Sequence, residues 1–516
     1  MTPADPDTTR LDLRLVPAAL TAWSVTAGGI LWGTTGLVIA LAVAVATAVV
    51  AGWWCRGGDE GKGDGAIGAG ALAVAVVGAA FAIAIGLRVD ALRQHPVAEL
   101  YGTVASVVVT PVENPRVVGG NRIMFRGTLR DVDGHEASGR VVVFASAAAF
   151  SELTAGRPVA FRAQIGRPTR RDLTVAVLSA TGRPVWGEAA TVHRAAHDIR
   201  AAFADAARGG LPADQATMLP ALVLGDTSAV SAQTTDEFRA AGLTHLTAVS
   251  GANVTIVCGA VLLSAGLVGP RVAVVLAGFA LLVFVIVVQP SPSVLRAAVM
   301  GAITLLAVLS HRRRQAIPAL SATVLVLMVA SPELAVDVGF ALSVSATAAL
   351  VVIAPAWSRR LVGRGWPKPL ADAVCVAVAA QLVTAPLIAG ISGTFSVMSV
   401  AANLAVAVVI PPITVVGTAA AALCPLWPAG ADLLIRLTGP ELWWLLSVAH
   451  WASTVPGASL AVPSGLLGVV TVAATGVAVA VMWRWRWTRW GVCAAIVIGL
   501  AWTMSGLSGG HDTIVG

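Results

Sequence analysis

The sequence predicts a polytopic α-helical membrane protein with about 13 transmembrane helices and one small, soluble, all-β domain inserted between them. Of its 516 residues, 57% are hydrophobic and only 12% are charged, and the mean hydropathy is +0.83. A soluble protein of this length carries about 25% charged residues, so most of this chain is expected to face lipid. Between residues 91 and 185, turn-forming and β-branched residues replace the long apolar runs, which places the β domain there.

Residues 1–90 are predicted to form the first group of membrane helices. Because about 20 apolar residues cross a bilayer, the apolar runs of this region are long enough to do so. The basic residues around the first two runs are Arg10, Arg14, Arg56 and Lys62. Basic loops stay in the cytoplasm, so the β domain that follows is expected outside it. The predicted spans lie near 15–32, 36–54 and 66–87.

The β domain is predicted over residues 91–185. In RPVAFRAQI, Val159, Phe161 and Ile165 alternate with small or polar residues, which is the period of a strand with one buried face. A handful of short strands in about 90 residues favours a small barrel of the OB type. The predicted strands are ELYGTVASVVVT, RIMFRGTLRDV, GRVVVFASA, RPVAFRAQI and DLTVAVLSA.

Residues 186–241 are predicted to form amphipathic helices that lead into the second membrane region. The apolar face of the first helix would comprise Val192, Ile199 and Phe203. On the same helix His193 and His197 have the spacing of metal ligands, but no third ligand lies nearby. The 5 cysteines are also too widely spaced for a metal site or a disulfide framework. We therefore expect neither a metal nor another cofactor.

Residues 242–510 are predicted to form a bundle of about ten further spans. With the β domain outside, counting crossings places the basic loops at 311–315, 358–368 and 484–489 in the cytoplasm, as expected for basic loops. The segment 431–455 is rich in tryptophan and has the two-faced pattern of an interfacial helix. The spans are predicted near 243–265, 272–289, 293–310, 316–332, 333–354, 370–389, 397–423, 431–455, 461–482 and 489–505.

Several of these spans contain polar side chains, most densely in GLTHLTAVSGANVTIV (242–257). Polar groups in lipid usually face the bundle interior or a wet cavity, although small polar residues also serve simply to pack helices. Taken as a set, they predict a polar pathway through the bundle. The polar residues on which this prediction rests are His245, Ser250, Asn253, Arg296, Asp337, Gln381 and Asn403.

Two kinds of chemistry are not expected. The loop GGDEGKG resembles a phosphate-binding P-loop, but Arg56 and Gly63 occupy positions that require Gly and Ser or Thr. The chain therefore offers no nucleotide-driven motor. A serine hydrolase built from Ser250 and His245 is disfavoured because, on one straight helix, these side chains would point about 140° apart. We expect no enzymatic activity.

The motifs of the second membrane region resemble those of the ComEC family of competence proteins. The family's first motif matches at Asp226 and its neighbours, and the segments PSVLRAAVMG and DVGFALSVSA match downstream in the same order. The resemblance implies a channel that admits one DNA strand across the cytoplasmic membrane during natural transformation, with an OB-like domain outside. Phe125, Phe144 and Phe161 would be candidates for stacking on bases, although alternation places Phe161 in the core. The matched positions are Leu224, Gly225, Asp226, Ser228, Gly242, His245, Leu246, Ala248, Val249, Ser250, Gly251 and Val254.

The chain departs from the family pattern at two places. Asn253 replaces the second histidine of the motif, which leaves a hydrogen-bonding role but puts a two-imidazole mechanism in doubt. Many family members end in a metallo-β-lactamase-like domain, whereas this sequence has no HxHxDH before Gly516. A separate nuclease is therefore expected, together with a cytoplasmic ATPase or helicase and a DNA-receptor protein.

The predicted strand path contains Asp226, His245, Ser250, Asn253, Arg296, Asp337, Gln381 and Asn403. The main alternative function is a transporter or flippase of another anionic solute, which would use the same polar spans and arginines. An intramembrane hydrolase is a third possibility, in which a histidine from another span would activate Ser250.

Overall fold

The computed structural model describes residues 12–43, 46, 64–247, 249, 251–266, 268–289, 291–310 and 315–482. The chain divides into two compact units. The first unit comprises the residues up to Ala229, together with Leu246–Val351 and Pro411–Pro440. The second comprises Val230–His245, Val352–Ile410 and the residues from Glu441 onward.

Helices account for most of the described chain. Many of the helices begin with proline or glycine at or next to their first position. The N–H groups of these positions have no acceptor within the helix, so a proline there loses no hydrogen bond. The helices are α1 Val16–Trp32, α2 Thr34–Val43, α3 Asp64–Arg93, α4 Thr191–Gly210, α5 Ala213–Leu224, α6 Ala232–Ala240, α7 Gly251–Ala265, α8 Pro270–Val288, α9 Pro292–Leu309, α10 Ala316–Ala330, α11 Val338–Val362, α12 Lys368–Ser392, α13 Ser399–Val406, α14 Ile410–Leu423, α15 Pro428–Leu437, α16 Gly439–Thr454 and α17 Gly465–Met482.

Among the described helices, 5 are long and apolar enough to cross a membrane, and 6 if α13 and α14 form one broken span. The five are α3, α8, α9, α11 and α12. Helices α1, α2, α7 and α10 are apolar but shorter, and so is the apolar part of α17 over Gly465–Val479. At about 1.5 Å per residue, 15 residues rise roughly 22 Å, less than the roughly 30 Å hydrocarbon core of a bilayer. The fold is consistent with a membrane protein, and the number of about 13 spans stays a prediction.

Several predicted spans differ from the helices that form. The span at 243–265 begins instead with a 3-10 turn, Thr244–Leu246, and its helix starts only at Gly251. The span at 397–423 is broken between α13 and α14, where Pro411 and Pro412 remove backbone donors. The span at 431–455 is divided between α15 and α16, neither of which is long enough to cross. Residues 489–505, predicted as the last span, lie outside the described residues, as does the GGDEGKG loop up to Gly63.

The small β domain is a barrel with the strand order expected for an OB-like fold. Its sheet runs β1-β5-β6-β4-β3, and β3 pairs back with β1 to close it. All pairings are antiparallel except that of β4 with β6. The five predicted strands are confirmed, and β2 adds a hairpin at the start of β3. The strands are β1 Val104–Pro111, β2 Arg116–Gly119, β3 Arg122–Val132, β4 His135–Ser146, β5 Val159–Gly166 and β6 Thr174–Trp186.

The barrel core is filled by alternate side chains of every long strand. Phe150, from the turn after β4, packs edge-on against Phe161 with ring centroids 5.4 Å apart. Phe125 is fully buried and Phe161 is 3% exposed, so neither can stack on a base. Of the three candidate phenylalanines, only Phe144 lies at the barrel surface, where it is half-buried.

The first unit joins the barrel to helices α1, α3, α10 and α11. The ring of Trp23 on α1 packs against Phe340 on α11 at 5.3 Å, and its indole N–H donates to the carbonyl of Ala335. An ion pair between Arg140 on β4 and Glu333, just before α11, connects the barrel to these helices. The apolar helices α7, α8, α9 and α10 pack in sequence beside them.

The second unit is built around α12, which packs against α13 and α17. A short antiparallel pair, β7 Thr394–Ser396 with β8 Ser459–Ala461, connects the chain after α12 with the chain before α17. A Cβ at Gly390 would lie 2.6 Å from the side chain of Val469, so the absence of a side chain allows α12 and α17 to approach closely.

Candidate functional site

The candidate site begins where α5 ends. Gly225 follows the helix with a φ of +71°, a conformation that glycine adopts without strain, and the N–H of Asp226 donates back to the carbonyl of Pro220. The carbonyls of Leu222 and Leu224 lie in the last turn of α5. Each of them accepts a hydrogen bond from a side chain that belongs to another helix. The sequence match around Asp226 therefore coincides with an interhelical junction.

Arg200 on α4 is the first of these side chains. Its Nη1 donates to the carbonyl of Leu224 at 3.0 Å and to the carbonyls of Val287 and Val288, the last residues of α8. Its Nη2 lies 3.7 Å from a carboxylate oxygen of Asp226. Burial lowers the pKa of the guanidinium, and the carboxylate of Asp226 opposes that shift. Arg200 therefore holds the negative ends of two helices and is itself balanced by an acid.

The sequence analysis missed Arg200 because the apolar face that it assigned to α4 shares Phe203 with the buried face but is otherwise displaced from it. The buried face comprises Ala196, Arg200, Phe203 and Ala207, whereas the predicted Val192 is exposed. The pattern that indicates the buried face is the helical spacing of Ala196, Phe203 and Ala207. Position 200 lies on that face although its side chain is charged. His193 and His197 are both exposed on the other side of the helix.

Asn253 on α7 is the second side chain at the end of α5. It is 5% exposed, and its Nδ2 donates to the carbonyl of Leu222 at 3.0 Å. The amide therefore links α7 to α5, which is the hydrogen-bonding role that the sequence analysis left to this position. Asp226 and Asn253, two of the predicted site residues, thus act on the same helix end.

Arg296 lies on α9 next to the start of α7. It is 6% exposed, and its Nε donates to the hydroxyl of Ser343 on α11 at 2.6 Å. A Cβ at Gly251, the first residue of α7, would lie 2.4 Å from Nη2 of Arg296. Within the part of the chain that the structure describes, no carboxylate lies within 4 Å of this guanidinium. Arg296 is therefore a buried cation without an acidic counterpart among those residues.

Asp337 acts locally. Its carboxylate accepts from the backbone N–H of Phe340 at 2.9 Å and so caps the start of α11. The hydroxyls of several spans are likewise satisfied inside their own helices, which agrees with a packing role for these small polar residues. Thr255, Thr304, Thr323, Thr347 and Thr384 each donate to the carbonyl four residues earlier.

In the second unit, Gln381 and Asn403 are brought together by Ser399. The hydroxyl of Ser399 donates to Oε1 of Gln381 at 2.8 Å, and Nδ2 of Asn403 donates to the carbonyl of Ser399 at 2.8 Å. Gly242 packs directly on this serine, since a Cβ there would lie 2.5 Å from the Cβ of Ser399. The exposed His245 follows in the 3-10 turn.

The geometric argument against a Ser250–His245 pair was wrong in its premise. It assumed one continuous helix, but His245 precedes α7 and lies in the 3-10 turn. The predicted angle of about 140° between the two side chains therefore does not apply. Ser250 itself lies outside the described residues.

The outer face of β3 and β4 carries exposed arginines beside an accessible aromatic ring. The guanidinium of Arg122 lies over the ring of Phe144, 5.5 Å from its centroid, and Met124 is opposite Phe144 in the register. Arg130 on the same face is exposed and bonds the hydroxyl of Thr110. Arg126 is partly neutralised by Glu113, whose carboxylate lies 3.9 Å away.

Comparisons with known proteins agree with the resemblance. A model of the family described as "Competence protein" matches residues 222–487. A segment of 197 residues, 38% of this chain, is 26% identical to ComE operon protein 3 of Bacillus subtilis (strain 168). That segment spans 24% of the relative's length. No solved structure matches the chain.

Proposed function

Because the chain belongs to the competence protein family of the ComEC type, we propose that it is a membrane channel for the uptake of single-stranded DNA in natural transformation. In this proposal the helical bundle lies in the cytoplasmic membrane and the barrel lies outside the cytoplasm. The family assignment supports a role in competence, and the channel is the mechanism we infer for that role.

The outer face of β3 and β4 is the observation that carries the proposal. OB-like barrels bind single strands on this part of the barrel, using basic side chains for the phosphates and aromatic rings for the bases. Here Arg122 and Phe144 are stacked on each other, and Arg130 extends the basic strip. The charges of Arg122 and Arg130 have no carboxylate within 4 Å among the described residues, so they are free to attract phosphates.

From the barrel, the strand would continue past the polar groups of the bundle. Asp226 and Asn253 lie at the end of α5, Arg296 lies against the start of α7, and Gln381 and Asn403 form a polar cluster in the second unit. The chain acts without catalysis in this proposal. A cytoplasmic ATPase or helicase supplies the energy, a DNA-receptor protein delivers the DNA, and a separate nuclease degrades the other strand.

A transformation assay tests the proposal. Deletion of the gene in a transformable host is expected to abolish transformants, and a plasmid copy of the wild-type gene is expected to restore them. The host's growth and its expression of other competence proteins serve as controls. If the deletion strain yields as many transformants as its parent, the proposal is wrong.

The alternative is a transporter or flippase of a smaller anionic solute, for which a buried arginine such as Arg296 would also be suitable. The two functions differ in the length of ligand that the protein contacts. A strand makes many phosphate contacts, so its affinity falls steeply as salt is added. The salt slope, which is the slope of the logarithm of the binding constant against the logarithm of the salt concentration, is about −0.7 per phosphate contact for a single strand. A shallow slope, equal to that of a mononucleotide, would favour the alternative.

A further inference from the structure

A cleft of about 400 Å³ lies on the outer surface of the barrel, where β5 ends and just before β1 begins. Clefts that bind small ligands have volumes from roughly 300 Å³ upward, so this one is large enough for a molecule the size of a nucleotide. Its lining combines an aromatic ring, one cation, two uncharged polar groups and an apolar wall. These groups belong to Tyr101, Arg167, Gln164, Ser179 and Val177.

Tyr101 and Arg167 form a stacked pair in this cleft. The phenolic O–H of Tyr101 donates to the carbonyl of Val175 at 2.7 Å, which fixes the position of the ring. The guanidinium of Arg167 lies over that ring, 5.9 Å from its centroid. Among the described residues, no carboxylate lies within 4 Å of Arg167. The cleft therefore holds an ordered cation that no acid in this part of the chain neutralises.

The register of the sheet connects the cleft to the aromatic ring on β4. Phe144 on β4 is opposite Ser179 on β6, and Ser179 is opposite Gln164 on β5. All three side chains point outward, because they alternate with the buried residues of their β-strands. Neighbouring β-strands are about 4.8 Å apart, so Phe144 and Gln164 are about 10 Å apart along this row. An aromatic ring covered by an arginine therefore occurs at each end of one continuous surface.

We propose that the cleft binds one nucleotide, with its phosphate on Arg167 and its base against Gln164 and Ser179. The planar guanidinium offers two parallel N–H donors, which match the geometry of a phosphate. Neither Gln164 nor Ser179 has a side-chain hydrogen-bonding partner among the described residues, so both can bind a ligand. This inference rests on the proposed function in one respect, because there the nucleotide belongs to the DNA strand that also contacts Phe144.

The lining of the cleft favours a nucleotide over a simpler anion. A free phosphate or a phospholipid headgroup needs only cationic and N–H donors. The cleft also offers two acceptors, Oε1 of Gln164 and Oγ of Ser179, and an apolar wall at Val177. The edge of a base uses donors and acceptors together, and its flat surface covers an apolar side chain. A nucleotide is therefore the ligand class that uses all of these groups.

The test uses Tyr101 as a reporter, because it is the only tyrosine of the chain. The purified full-length protein in detergent is labelled with meta-fluorotyrosine, so its fluorine NMR spectrum reports on Tyr101 alone, and thymidine monophosphate is titrated in. We expect the signal to shift and to saturate. In Arg167→Gln the half-saturating concentration should rise about tenfold, and in Arg167→Lys it should rise less. Arg183→Gln changes an exposed arginine elsewhere on β6 and should titrate as the wild type does.

Two results would overturn the site: no saturable shift in the wild type, or equal half-saturating concentrations in the wild type and in Arg167→Gln. Inorganic phosphate and micelles that contain phosphatidylglycerol are titrated in the same way. Weaker binding of both supports a nucleotide. If either one shifts the signal at the same phosphate concentration as thymidine monophosphate, the cleft recognises a phosphate group alone, and the nucleotide assignment is wrong.

A thymidine hexamer tests the connection between the cleft and Phe144. It is long enough to span the row of about 10 Å, so it should half-saturate the shift at an about tenfold lower concentration than the mononucleotide. Phe144→Ala should remove that gain, and an undiminished gain in this variant would overturn the connection.

These titrations do not depend on uptake in cells, so failure of the site and failure of the proposed function are distinguished. Nucleotide binding in the cleft together with normal uptake in the deletion strain would refute the proposed function and leave the site. Absence of binding together with abolished uptake would refute the site and leave the proposed function.

Discussion

Arg200 is the charged residue that connects α4 to the C-terminal ends of α5 and α8. One guanidinium donates to the ends of two helices and faces Asp226. The hydrogen bonds of this guanidinium are charge-assisted because the group is a cation, and because Arg200 is buried, water cannot replace them. This arrangement accounts for the position of Asp226 just after Gly225.

Removal of the acid should therefore destabilise the fold. Asp226→Asn leaves the guanidinium of Arg200 buried without its counterion, and we expect a loss of about 2 kcal/mol in the free energy of unfolding. Thermal or denaturant unfolding of the purified chain measures the loss. Arg208→Gln breaks an exposed ion pair of the same type with Asp205, and it should cost less than about 1 kcal/mol. Equal effects of the two substitutions would refute the role assigned to Arg200.

Residue-level prediction from sequence succeeded where a polar group stood out against an apolar background. Arg296 and Asn253 were identified in this way, and both are buried. Arg200 was not identified because α4 is a polar helix overall, and an arginine in such a helix is expected to face solvent. Its burial depends on carbonyl groups that become available only when α5 and α8 end beside it, and no local pattern encodes that.

At the scale of elements, the side-chain amide of Asn253 joins α7 to α5 by a hydrogen bond. Asn253→Ala should leave the carbonyl of Leu222 without its donor and cost about 1–2 kcal/mol of stability. Asn253→His restores the family's residue, and one ring nitrogen can donate to the same carbonyl, so its loss should be smaller. The unfolding midpoints of the two variants, compared with the wild type, measure this difference. A histidine variant less stable than the alanine variant would contradict the assigned hydrogen bond.

Gly242 has a corresponding role in the second unit. Its φ is +72°, and a Cβ would lie 2.5 Å from the Cβ of Ser399, so Gly242→Ala must disturb the Gln381–Ser399–Asn403 cluster. We expect a loss of about 2 kcal/mol from strain and overpacking together. Gly259→Ala is the matched control, because that helical glycine faces open space, and its stability should be unchanged or slightly higher. Unfolding of both proteins under one condition provides the measurement.

The elements of the barrel could be predicted well, and the apolar helices less so. Alternation along β3, β4 and β5 comes directly from the two faces of a strand, so the sequence carries it position by position. The start of α7 was missed because hydropathy is averaged over a window, so the short 3-10 turn at Thr244–Leu246 was absorbed into the long apolar run that follows it. The division of 431–455 between α15 and α16 was missed for the same reason.

At the scale of the whole molecule, the proposal connects a basic barrel surface to a membrane bundle. The full-length chain in nanodiscs should bind single strands with an affinity that decreases steeply with salt. Arg122→Gln should reduce the salt slope by about one contact, since it removes one phosphate partner next to Phe144. Arg183→Gln changes an exposed arginine on β6, outside that face, and should leave the slope unchanged. Equal slopes for the two variants would exclude the β3–β4 face as the strand surface.

The most direct test of the channel is the entry of labelled DNA into cells. Duplex DNA with a labelled strand is supplied to a competent parent, to a strain that lacks this gene and to the complemented strain, and nuclease-resistant label inside the cells is measured separately from label bound outside. The deletion strain is expected to bind DNA at its surface as the parent does but to internalise none, and complementation should restore entry. Internal label in the deletion strain equal to that in the parent would contradict the proposed channel.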